Sequence, residues 1–402
     1  MLNYFTMIKS IREKFNREFT AEKYKAFNDD LNSEFNYAID FRISETPVFV
    51  PKKFKECLIE AGNEIIDVLL RKDFKQISER AVPPHLNVPG EDGHPSLLAI
   101  DFAVCKNDAG ELIPQLIELQ GFASLYCYQE WLSEKYKKHF NVPAGFNNKF
   151  NNYTHESYIE RLKKVIIGNH EKENVVLLEV EPWKQKTQID FYCTQQYLGI
   201  KAICITDVIK EGRQLYYLLN GTLTRIKRIY NRVIFDELMQ RKDLKMQFNM
   251  TDDVDVEWVA HPNWFFRISK YTMPFLKSRY VPETFFVNEL KSFPEDLENW
   301  VLKPLFSFSG QGVIFDVKKS DIENITDPDN YILQRKVVYS PAVESPTGPV
   351  KCEIRLLYLW DKDEARPELT INLGRMSKGK MIGVRYNLDL DWVGATSYFF
   401  EE

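Results

Sequence analysis

Two stretches hold the side chains best suited to chemistry. In SLLAIDFAVCK-NDAG-ELIPQLIELQ (96–120), Asp101 lies on one apolar run, and Glu118 and Gln120 lie on the next. Two such runs around a polar, glycine-ended turn predict a strand hairpin. An even-numbered loop sets Lys106 opposite Glu111 and Asp101 opposite Leu116. Glu118 and Gln120 share the side-chain parity of Leu116, so all three polar side chains fall on one face. Asp101 and Glu118 are then diagonal neighbours, roughly 7–8 Å apart at the backbone. Oxygen-bearing side chains converging at that spacing suit Mg²⁺ beside phosphate oxygens. The plain alternative is a solvated acidic face, which the strongly apolar flanks weaken.

The second stretch is LKPLFSFSGQGVIF (302–315), in which Lys303 ends an apolar run. Glycine permits the backbone N–H groups of Ser309, Gly310, Gln311 and Gly312 to form a nest for phosphate oxygens. Ser-Gly is equally ordinary turn chemistry, and the stretch alone leaves both open. Upstream, HPNWFFRISKYTMPFLKSRYVPETFFV (261–287) offers Lys270 inside a helical pattern. Downstream, YILQRKV (331–337), which contains Gln334, is a strand suited to lining an adenine pocket through its backbone.

The elements that must position these groups are readable in part. Ile8, Ile11, Phe15 and Phe19 recur at helical spacing, as do Phe54, Leu58, Ala61, Ile65 and Leu69 within Lys52–Arg71. PPHLNVPGEDGHP (83–95) reads as a long loop of the kind that is often functional. Helical patterns cover 124–139 and 154–167. The stretch 175–208 reads as strand, helix, strand, which predicts a parallel sheet. LYYLLNGTLTRI carries Asn-Gly between two β-rich runs and predicts a type I′ hairpin. The last 140 or so residues alternate short strands and turns.

The bulk composition excludes several classes. The chain has 402 residues, 44% hydrophobic and 14% aromatic, which is ample for a sizeable core. A net charge of −5 without blocks of like charge gives no electrostatic case for nucleic acid or an anionic membrane. Cys57, Cys105, Cys127, Cys193, Cys204 and Cys352 are scattered, with neither CxxC nor zinc spacing, and read as small buried hydrophobes in a reducing compartment. The N-terminal stretch lacks the apolar core of a signal peptide, and no run approaches 18 apolar residues. The expectation is a soluble, cytoplasmic, globular protein.

Taken together, the motifs resemble the glutathionylspermidine-synthase-like, circularly permuted ATP-grasp ligases. In that family the metal-binding strands precede the lysine and the glycine-rich loop. The family's D-F, turn, E-Y-N pattern stands here as Asp101-Phe102 and Glu118-Leu119-Gln120-Gly121. Its lysine helix and K-P…G-x-G-V loop stand as Ser269-Lys270 and as Lys303-Pro304…Gly310-Gln311-Gly312-Val313, and a late G-x-x-R-type strand stands as Ile371-Asn372-Leu373-Gly374-Arg375. The resemblance covers about 81–402. It implies a mixed α+β and α/β fold of circularly permuted ATP-grasp type, with a βαβ pre-ATP-grasp-type domain. The implied domains are an N-terminal helical segment (1–80), a metal-bearing hairpin with helices (81–170), a βαβ substrate-side domain (171–262) and nucleotide-binding lobes (263–402).

The resemblance further implies ATP and Mg²⁺ as cofactors and small-molecule carboxylate and amine partners joined through an acyl phosphate. Mg²⁺ falls to Asp101, Glu118 and Gln120, and nucleotide phosphates to Lys270, Lys303 and the 309–312 loop. Arg375 and Lys303 take the catalytic roles. The departures are Gln120 for an asparagine, Ala99 where the family has an arginine, and the missing amidase domain. No Cys/His pair stands in a matching segment, so no thiol hydrolase activity is expected. Ala99 leaves room for a nucleotide-binding sensor or scaffold without turnover, and phosphoryl transfer is a further alternative. An unpermuted order would instead use Glu353, Glu368 and Asn372 as metal ligands, though their spacing fits an E-x-N motif poorly.

Overall fold

The computed structural model describes residues 7–306, 312–379 and 390–402. Its centre is an antiparallel sheet in the order Gly394–Thr396, Glu368–Ser377, Gly348–Leu359, Leu97–Lys106, Leu112–Gln120, with Pro341–Ser345 also paired to Gly348–Leu359. Leu97–Lys106 is buried along nearly its whole length because strands flank it and both faces are covered. The amphipathic Lys52–Leu69 helix buries Phe54, Leu58, Ala61, Ile65 and Leu69, as its spacing predicts, and lays Gly62 against Leu356 and Tyr358. Alternation along Gly348–Leu359 then turns Glu353 and Arg355 to the opposite face.

The strand–helix–strand pattern folds as expected. Val175–Glu179 and Lys201–Cys204 pair in parallel, joined by the Gln188–Leu198 helix. Arg228–Asn231 and Glu257–Val259 extend that sheet, also in parallel. The Asn-Gly hairpin forms between Gln214–Leu219 and Thr222–Ile226, with Asn220 and Gly221 both at positive φ (51° and 83°), the geometry of a type I′ turn. Helices occupy Lys9–Glu18, Tyr126–His139 and His155–Ile166.

The segment 284–335 builds a separate lobe. Thr284–Phe286, Tyr331–Arg335 and Trp300–Pro304 form a three-stranded antiparallel sheet over its own core of Val287, Trp300, Leu302, Val317, Ile322 and Leu333. The chain then returns to the central sheet through Pro341–Ser345 and Gly348–Leu359. Val48–Val50 likewise pairs in parallel with Tyr398–Glu401, which weaves the helical N-terminal segment to the C-terminal strand. All six cysteines are free thiols, and no described helix is long and apolar enough to cross a membrane.

Candidate active site

The hairpin that carries Asp101 reaches its register by an unexpected route. Its loop has five residues, since Lys106 pairs with Leu112 and Asn107 N–H donates to the Glu111 carbonyl. Continued unbroken, that register would set Asp101 opposite Ile117 and turn Glu118 to the far face. A β-bulge between Asp101 and Phe102 in the pairing absorbs the extra residue, so Asp101 faces Glu118 directly and Ala99 faces Gln120. The three polar side chains therefore share one face, as the parity argument required, with Asp101 and Glu118 directly opposed rather than diagonal. Gln120 Nε2 donates to Glu118 Oε1 at 2.7 Å.

Across the next strand pair, Arg355 stands opposite Asp101. Its Nε donates to Oδ1 at 2.5 Å and one terminal nitrogen to Oδ2 at 2.6 Å, a bidentate fork between side chains 8% and 1% exposed. The same terminal nitrogen lies 3.5 Å from Glu118 Oε1. Arg375 donates to Asp101 Oδ2 at 3.0 Å and lies 3.3 Å from Glu353 Oε1. Tyr339 donates its hydroxyl hydrogen to Glu353 Oε2 at 2.9 Å. Burial raises the Glu353 carboxyl above its ordinary range, and Asp101 and Glu118 push the same way against Arg375. Both guanidiniums are held more firmly protonated than usual: against burial, Asp101 dominates for Arg355, and Glu353 then Asp101 for Arg375.

The two lysines arrive from the other side. Gly121 ends the hairpin and donates its N–H to the Ile268 carbonyl at 3.0 Å. A Cβ there would lie 2.6 Å from the Trp264 carbonyl oxygen, so only glycine admits the Asn263–Arg267 helix that leads into Lys270. Lys270 donates to the Pro304 carbonyl at 3.0 Å, and Lys303 donates to Gln334 Oε1 at 2.5 Å. The buried Gln334 amide is held in turn by Thr284 Oγ1 at 3.1 Å and Met273 Sδ at 3.5 Å. Burial pushes the Lys303 ammonium down to about 8; Lys270 adds to the fall, while Glu118 and Glu353 oppose it. Burial also lowers Lys270, against the pull of Glu118 and Asp236. Glu118 thus acts on both lysines.

The expected site residues divide as follows. Asp101, Glu118, Gln120 and Arg375 come together on one sheet face, with Lys270 and Lys303 within the electrostatic reach of Glu118. Gln334 serves Lys303 through its side chain, where the sequence suggested backbone contact with an adenine. Ser309, Gly310 and Gln311 lie outside the described residues. Gly312 has φ +74°, with room at its Cα closed by Pro304 Cγ at 3.1 Å from a Cβ. Of the ligands an unpermuted order would use, Asn372 is a buried structural amide bonded to Asn148 and Tyr398, and Glu368 binds Tyr153 and Arg161.

Arg355 was not singled out from the sequence, and Glu353 only under the unpermuted order. The available signal was a Glu-x-Arg pair on one face of the otherwise apolar CEIRLLYL strand. Both Asp101 oxygens accept guanidinium hydrogens, so a cation at Asp101 would have to compete with Arg355 for them. Glu118 Oε2 and Gln120 Oε1 fit, since Mg²⁺ takes one or two protein oxygens beside substrate phosphates and water.

No family model matches the chain, and no curated protein matches it. A solved structure of a glutathione synthetase-like effector from Globodera pallida, in its apo form, superposes with a TM-score of 0.61 at 11% identity. The match covers 94% of this chain and 96% of that one. At that identity the likeness shows the fold, which is glutathione synthetase-like.

Proposed function

We propose that on this glutathione synthetase-like fold the chain binds ATP with Mg²⁺ and joins a carboxylate to an amine through an acyl phosphate. One observation carries the reading: Lys270 and Lys303 both lie within the electrostatic reach of Glu118, which stands beside the Asp101–Arg355–Arg375 array. Four cationic side chains stand against four carboxylates, Asp101, Glu118, Glu353 and Asp236, and burial pushes the last two towards their neutral forms. Such a surplus of positive charge suits a polyphosphate.

In this reading Lys303 and Lys270 hold phosphate oxygens as point charges, and Gln334 fixes the Lys303 ammonium. Glu118 and Gln120 would hold Mg²⁺, which when bound neutralises charge on the phosphates. Arg375, held by Asp101 and Glu353 with its side chain 28% exposed, stabilises charge on the transferred phosphoryl group. A substrate carboxylate oxygen attacks the terminal phosphorus, and ADP leaves. An unprotonated amine then attacks the acyl carbon, and the tetrahedral adduct expels phosphate as the nitrogen gives up its proton. Calorimetric titration with ATP and Mg²⁺ tests the site: Lys303→Ala should weaken binding several-fold with the fold intact. Unchanged affinity would remove the reading.

A second reading, nucleotide binding without turnover, is favoured by Ala99 and by the engagement of Asp101 with Arg355. ADP production that fails to rise with any carboxylate and amine pair would select it.

A further inference from the structure

We propose that Arg355 is a built-in cation: its guanidinium occupies the space between Asp101 and Glu118 that a divalent ion would otherwise take, so that the face holds Mg²⁺ only at Glu118 and Gln120. The inference deepens the ligase reading and rests on it for the role of the phosphates. The geometry supports it independently. Two carboxylates from adjacent strands face one another, and the Arg355 fork satisfies both oxygens of one and reaches the other at 3.5 Å. Arg355 is 7% exposed and Asp101 1% exposed, so water does not compete for the pair. Removal of Arg355 would leave Asp101 facing Glu118 with only Arg375 to offset the pair, hard oxygens that attract a divalent cation.

Arg355 is also a positioning residue. Asp101, with its charge balanced, is free to direct Arg375, whose guanidinium it shares with Glu353. A divalent ion at Asp101 would instead repel Arg375 from its place.

The test uses the full chain, Mn²⁺ as the probe and no nucleotide, so its failure is separate from failure of the ligase reading. Free Mn²⁺ is followed by electron paramagnetic resonance. Wild type should take up Mn²⁺ weakly, and Arg355→Gln should gain one site per chain, at least about tenfold tighter. Asp101→Asn added to Arg355→Gln should abolish the gain. Equal Mn²⁺ affinity in wild type and Arg355→Gln would overturn the proposal, as would a folded Arg355→Gln chain that gains nothing. If circular dichroism shows that Arg355→Gln does not fold, Arg355→Lys replaces it. That ammonium cannot fork across both carboxylates, so Mn²⁺ should bind several-fold tighter than to wild type, and no gain would overturn the proposal.

Discussion

Raising the pH should weaken nucleotide binding because Lys303 loses its proton at about 8. The ordinary lysine value is about 10.4, and the fall is caused first by burial, so the charged form is the disfavoured one. If only the ammonium holds phosphate, affinity scales with the protonated fraction, which is about nine-tenths near pH 7 and about one-eleventh near pH 9. The expected loss is about tenfold between those values, or about 1.4 kcal/mol. Binding at about pH 8.5 should take up roughly three-quarters of a proton, against about a tenth near pH 7. Calorimetry of a Mg²⁺–nucleotide analogue in buffers of different ionisation enthalpy reads both quantities. Lys303→Arg, charged throughout, should flatten the profile. Stability moves the opposite way. The unfolded lysine keeps its proton up to about 10.4 while the folded one releases it at about 8, so folding stability rises across that window, by on the order of 3 kcal/mol. Affinity that is flat from near pH 7 to near pH 9, with heats independent of buffer, would refute the reasoning.

Further outcomes follow from the same geometry. Glu118→Gln should remove the Mg²⁺ dependence of nucleotide binding while leaving the fold intact, as read by titration at fixed nucleotide. Asp101→Asn should instead lower stability by about 3–5 kcal/mol in chemical denaturation, because it strips the buried Arg355 guanidinium of its bidentate counter-charge and leaves Arg375 with Glu353 alone. Gly121→Ala should cost about 1–3 kcal/mol and weaken nucleotide binding, since its Cβ meets the Trp264 backbone and displaces the segment that carries Lys270. Asn263→Ala should cost about 1–3 kcal/mol and loosen the 83–95 loop in hydrogen exchange, because its buried amide bonds the Val88 N–H and carbonyl.

Local signals carried much of the fold. The Lys52–Leu69 helix, the Asn-Gly hairpin and the parallel strand–helix–strand unit each bury a periodic face or demand a turn that few residues supply. Parity placed Asp101, Glu118 and Gln120 on one face, although the loop is odd-numbered and a bulge at Ile117 restores the sharing. Bulges leave no reliable mark in the sequence. Arg355 was hidden because its partner lies 254 residues away on a strand that reads as buried core. The pairing of Val48–Val50 with the last strand, and the return of 341–402 to the central sheet, are likewise long-range events that no local pattern announces. The engagement of both Asp101 oxygens by Arg355 was hidden for the same reason.

The central claim is turnover, and the most direct measurement is amide formation coupled to ATP cleavage. Purified full-length protein with ATP and Mg²⁺ is presented with paired carboxylates and amines, and ADP, phosphate and amide are quantified together. The account predicts at least one pair that raises phosphate release well above the ATP-only rate, with amide equal to ADP and the stimulated rate lost in Arg375→Ala while nucleotide affinity is kept. ATP bound tightly but cleaved no faster with any pair, and Arg375→Ala altering only affinity, would contradict it.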